Sequence, residues 1–69
     1  MDNIKGLYPP YLEESIEYWL SVKDKRYEWD LGYEDLRSSI NIAEVEGDIS
    51  SEEAWMLRKH YLGMEKARN

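Results

Sequence analysis

The stretch Gly47-Asp48-Ile49-Ser50-Ser51-Glu52-Glu53 decides the fold, because it reads as the end of one helix followed at once by the start of another. Glycine carries no Cβ, so Gly47 can take the left-handed backbone conformation that closes a helix C-terminus. Ser50 then stands where a helix N-cap belongs, with Glu53 at the third helical position. In that register the serine hydroxyl accepts from the Glu53 amide while the Glu53 carboxylate accepts from the Ser50 amide, the reciprocal capping box. The spacing predicts an antiparallel hairpin of two helices hinged at Gly47.

Downstream of the hinge, the helix is expected from Ser51 to about Leu62, with Gly63 as its natural stop and 64–69 as a frayed, basic tail. Ala54, Leu57, Tyr61 and Met64 line one side of it, and Trp55 and Leu62 the other flank of the same half-cylinder. Arg58 falls between those flanks. A guanidinium in the middle of an apolar arc either reaches out along its stem or pairs with a carboxylate from another helix.

Upstream, Trp29, Tyr33, Leu36, Ile40 and Ala43 recur at alternating intervals of four and three, the strongest helical signal in the chain. Gly32 lies inside this run, at a cost of about 1 kcal/mol relative to alanine, so it marks either weak first turns or a close helix crossing. Leu31, Ser38, Ile42 and Val45 form a second stripe on a different side, as expected of a central helix contacted from two directions. Before it, Lys23-Asp24-Lys25-Arg26 is a polar break. A first helix is expected from about Pro10 to Val22, since proline fits the first helical turn and Glu13, Glu14 and Glu17 sit near the positive end of the dipole. Its apolar face, with Leu12, Ile16 and Trp19 flanked by Leu20 and by Tyr11, Tyr18 and Val22, is wider than one neighbouring helix needs. Residues 1–8 have no period and read as an arm laid across the bundle.

The fold class is therefore all-α: one small three-helix domain over 1–69, with Trp19, Trp29, Leu36, Ile40, Leu57 and Tyr61 central to its core. At 69 residues the core only just offsets the entropy of folding, so a deep preformed cleft is not expected. The chain has no cysteine, hence no disulfide framework and no thiolate metal site. No apolar run reaches bilayer-spanning length and Met1 to Gly6 lacks the layout of a signal peptide, so a cytoplasmic location away from membranes is expected.

Candidate chemistry is sparse. Gly47, Ile49, Ser50 and Glu53 match the second half of an EF-hand loop, but Ile42 would stand at the first ligand position, and Glu44 and Glu46 replace the usual short acids. His60 is the only histidine and lies off the main apolar arc, with no cysteine or second histidine to complete a metal or nucleophilic set. The carboxylate pairs Glu13-Glu14, Glu34-Asp35 and Glu52-Glu53 crowd helix starts and polar faces, where carboxyls stay solvated and do no general acid/base work. No cofactor, no metal and no enzymatic activity are expected.

Charge is more informative. The chain carries −6 in all, but Glu28 to Glu53 holds nine acids and one base, for −8, whereas Ala54 to Asn69 carries +3. A basic third helix can pack beside an acidic second one and neutralise it. Alternatively, Asp30, Glu34, Asp35, Glu44, Glu46 and Asp48 make an acidic face that imitates a phosphate backbone and inhibits a basic protein. Direct nucleic-acid binding is not expected, because the first turn of a recognition helix would be Ser51-Glu52-Glu53, although Arg58, Lys59, His60, Lys66 and Arg68 leave a small DNA-binding regulator as a third reading.

Three Trp and six Tyr without a single Phe give more amphipathic rings than so small a core can hold. The leading expectation is a non-catalytic protein-interaction module, with a second copy of itself as one partner, through Tyr11, Tyr18, Val22, Leu31 and Ile42.

The segment Ile49-Ser50-Ser51-Glu52-Glu53-Ala54-Trp55-Met56-Leu57-Arg58-Lys59-His60-Tyr61-Leu62-Gly63, with Trp29-Asp30-Leu31 and Ser39-Ile40-Asn41-Ile42-Ala43 before it, resembles small uncharacterised helical proteins of Gram-positive bacteria and their mobile elements. The resemblance implies a compact helical accessory protein, without implying an activity or any functional residue.

Overall fold

The computed structural model describes residues 8–64, which form three α-helices and, within that span, no strand: α1 (Pro10–Val22), α2 (Trp29–Glu46) and α3 (Ser51–Leu62). The arm expected at 1–8 and the tail at 64–69 lie, apart from Tyr8 and Met64, outside the described residues. Helix α1 has no side-chain cap from Pro9; instead the Pro9 carbonyl accepts from the Leu12 and Glu13 amides, and the Glu13 carboxylate accepts from the Tyr8 amide at 3.2 Å. Proline at the helix start costs nothing here, because its missing N–H is one that no helix could pair.

The hinge forms as its residues dictate. Gly47 takes φ +79°, and the amides of Asp48 and Gly47 donate to the carbonyls of Ala43 and Glu44, the crossed pair that satisfies the orphan carbonyls at a helix end. Ser50 Oγ accepts from the Glu53 amide at 3.0 Å, and Glu53 Oε1 accepts from the Ser50 amide at 3.1 Å. Ile49 and Ala54, on either side of this box, are both buried and staple the entry of the chain into α3. Gly63 repeats the left-handed closure at φ +68°.

Helix α1 lies along α2 in opposed register: Tyr11 reaches Asp48, Ser15 meets Ser39, Trp19 meets Tyr33, and Val22 meets Gly32. Gly32 is the point of closest crossing. A Cβ placed there would run into Val22 Cγ2 and stand 3.3 Å from Trp19 Cε3, so the glycine inside α2 exists for packing. Helix α3 folds back on α2, with Arg58 touching Asn41 and Glu44, and it meets α1 where the Trp19 indole donates to the Tyr61 carbonyl at 2.9 Å. That bond satisfies a carbonyl of the last helical turn, which has no partner within the helix.

Leu12, Ile16, Leu36 and Ile40 are fully buried at the centre, joined by Trp19, Val22, Ala43, Ile49, Ala54 and Leu57. Each fully buried aliphatic contributes about 1.5–3 kcal/mol. Tyr61 packs on this cluster from its rim. Two expectations are corrected. Trp29 shares the line of Leu36 and Ile40 but is 45% exposed: Gly32 already lies against the last residue of α1, so the first turn of α2 projects beyond its neighbour and Trp29 finds only the edge of the Tyr33 ring at 5.8 Å. The second stripe of α2 is not a contact face either. Leu31, Ser38, Ile42 and Val45 all lie in water, because α1 and α3 both pack on the half of α2 that carries Leu36, Ile40 and Ala43.

Candidate interaction face

The two flanks of α2 carry different side chains, and the difference defines the candidate face. On the α3 side, Arg58 is almost wholly buried, so its guanidinium needs partners. It donates to Glu44 Oε1 at 2.8 Å and to Asn41 Oδ1 at 2.5 Å, and it lies over the Trp55 ring, 4.6 Å from the centroid. The hydrogen bond from Arg58, then one from Ser51, holds the Glu44 carboxyl below its ordinary value of 4.5. Of the two fates open to this arginine from its place on the wheel, it takes the pair. One ion link joins the basic third helix to the acidic second.

On the α1 side, a groove of about 350 Å³ opens between α1 and α2. Its walls are Tyr11, Glu14 and Tyr18 from α1 and Asp35 from α2, and its lining is completed by Ser15 and Ser39, both buried. The two serine hydroxyls share a hydrogen bond at 2.6 Å, so the polar floor is satisfied without a ligand. Tyr11 is half-buried against the core, and its hydroxyl donates to Asp48 Oδ2 at 2.9 Å. Burial first, then the Asp48 bond and the nearby charges of Asp48 and Glu46, push the Tyr11 phenol above its usual value of 10.0. Neither Glu14 nor Asp35 makes a hydrogen bond or ion pair with any described residue, and no base lines the groove.

Beyond the Asp35 wall, Leu31 is 60% exposed and Ile42 51%, and both share a line of α2 with Asp35. Tyr18, 38% exposed, lines the groove from α1 together with Asp35. Four of the five interaction candidates, Tyr11, Tyr18, Leu31 and Ile42, therefore stand on this side of the molecule, with Val45 continuing the apolar line. The fifth is corrected: Val22 is only 3% exposed, and its methyl fills the space that Gly32 leaves.

The acidic candidates do not make one face. Glu34 pairs with Arg37 at 2.6 Å on the outer surface, Glu44 is held by Arg58, and Asp48 accepts from Tyr11. Asp35 and Glu46 lie on the groove flank of α2, whereas Asp30 and Glu34 lie toward the opposite one. Ser50 and Glu53, the oxygens of the EF-hand-like half-loop, are engaged in the capping box. His60 is exposed and stands edge-on to Tyr61 at 4.6 Å.

Sequence reasoning missed the facing serines and Glu14. The signal was present, since Ser15 and Ser39 each occupy a position inside an apolar arc where a polar side chain needs a partner. No helix among the described residues is long and apolar enough to cross a membrane. No family model, no curated protein and no solved structure matches the chain.

Proposed function

We propose that this chain is a non-catalytic cytoplasmic protein-interaction module whose docking surface is the groove flank of α1 and α2, with Tyr18, Leu31 and Ile42 as its apolar contacts. One observation carries the reading: the core closes around Leu36, Ile40 and Ala43 without Leu31 or Ile42, which leaves two large aliphatic side chains in water beside a preformed groove. Large aliphatic side chains exposed on one line of a helix, with the acid Asp35 between them, suit a contact site of mixed apolar and polar character. The partner is another protein or a second copy of the chain. An acidic mimic is favoured less, because two of its six carboxylates are neutralised by the protein's own arginines.

The test is affinity capture from source-cell lysate with the wild-type chain and with a Leu31→Lys/Ile42→Lys variant, run beside light scattering of both. The expected result is that proteins retained by the wild type are absent from the variant, or that a wild-type dimer becomes a monomer. The same retained proteins and the same mass for both chains would overturn the assignment of this face. Retention that survives high salt agrees with an apolar contact, whereas retention that collapses with salt belongs to the acidic-mimic reading.

A further inference from the structure

The molecule contains its own example of how a cation is held. Arg58 is seated by an aromatic ring on one side and a carboxylate and an amide oxygen on the other. The groove between α1 and α2 offers the same ingredients, phenol rings and carboxylates, with no cation from this chain among them. We propose that this groove seats an arginine side chain presented by a basic segment of a partner protein; the proposal rests on the docking reading above and names what docks.

The chemistry selects the occupant. Glu14 and Asp35 stand on the α1 and α2 walls of the groove, exposed and unpaired among the described residues, whereas Glu34 already has Arg37. A guanidinium entering between them offers several N–H donors in one plane, so it can serve both walls at once. Its flat face stacks on Tyr18 or Tyr11, which a strongly hydrated ammonium does less well. The groove, at about 350 Å³, has room for an arginine side chain and lies near the lower end of the range for ligand pockets. The Ser15–Ser39 pair is already satisfied, so the floor loses nothing when water leaves. Along α2, Leu31, Asp35, Ile42 and Glu46 alternate apolar and acidic on the same flank. A segment that places basic residues between aliphatic ones matches that alternation, and the −6 net charge steers it in.

The experiment uses the full chain labelled with 15N and two blocked peptides, acetyl-Gly-Ile-Arg-Leu-Arg-Gly-amide and its counterpart with citrulline at both arginine positions. Citrulline keeps the shape and removes the charge. The expected result is that the arginine peptide moves the amide resonances of Tyr11, Glu14, Tyr18, Asp35 and Ser39, and that the citrulline peptide binds about tenfold more weakly, a difference of about 1.4 kcal/mol. Asp35→Asn and Glu14→Gln each weaken the arginine peptide about threefold and leave the citrulline peptide unchanged. Both positions are exposed, so the variants keep the wild-type spectrum elsewhere. Equal binding of the two peptides at this face would overturn the arginine seat while leaving an apolar docking surface in place. Shifts confined to the Glu34 and Glu44 flank, or none at all, would also overturn it, and the capture experiment then decides separately whether the face docks anything.

Discussion

On one flank of α2, Arg58, Glu44, Asn41 and Trp55 form a closed set in which the cation has a ring and two oxygens; on the other, Tyr18, Glu14 and Asp35 surround a groove that no base of the described chain enters. The two flanks are built from the same kinds of side chain. What separates them is whether the chain supplies the cation itself. Where it does, the interaction holds α3 to α2 and contributes to folding. Where it does not, Tyr18, Glu14 and Asp35 and the neighbouring Leu31 and Ile42 stand exposed, and this is the surface proposed to dock a partner. A small domain has little spare stability, on the order of 5 kcal/mol, so a docking surface on a flank the core does not use, as proposed, would let that surface vary without unfolding the chain.

The comparison breaks most severely at Arg58. Arg58→Ala removes two charge-assisted hydrogen bonds and a buried stem, and is expected to cost about 3 kcal/mol in urea unfolding. A loss under 1 kcal/mol would mean that the closed flank is not what holds α3. Next is the crossing. Gly32→Ala gains about 1 kcal/mol of helix propensity, yet the added methyl meets Val22 and Trp19 in a packed contact. Overpacking outweighs the gain, and the midpoint of thermal unfolding should fall, by the equivalent of about 1–2 kcal/mol. A rise in the midpoint would show that α1 can slide away from α2.

A smaller, pH-dependent effect sharpens the same contrast. The Arg58 bond lowers the Glu44 pKa in the folded state, so the unfolded chain binds more protons in acid. This contribution to stability is present above the unfolded value near 4.5 and is lost as pH falls through the lower folded value. Glu44→Gln should therefore flatten the acid limb of stability against pH in calorimetry.

Much of the closed architecture was legible from particular residues. Gly47, Ser50 and Glu53 specify their conformations locally, through a positive φ and a three-residue reach, so the hinge and the bounds of α3 could be read directly. The Arg58 pair was one of two fates open to an arginine at that place on the wheel. The open flank was legible only as a surplus of large side chains, since sequence does not say which of two stripes on α2 a neighbour covers. Trp29 and Val22 show why. Both depend on where α1 ends against α2, a tertiary register fixed by the Gly32 crossing. The groove escaped notice for the same reason: Ser15 and Ser39 come together only once that register is set.

The central claim is that the flank carrying Leu31 and Ile42 is spare to the fold. Urea unfolding of the Leu31→Lys/Ile42→Lys variant, measured beside the wild type at low protein concentration, tests it directly. Both side chains are already in water, so the account predicts a free energy of unfolding within about 0.5 kcal/mol of the wild type. A loss of 2 kcal/mol or more would show that these residues are covered within the chain and would contradict it.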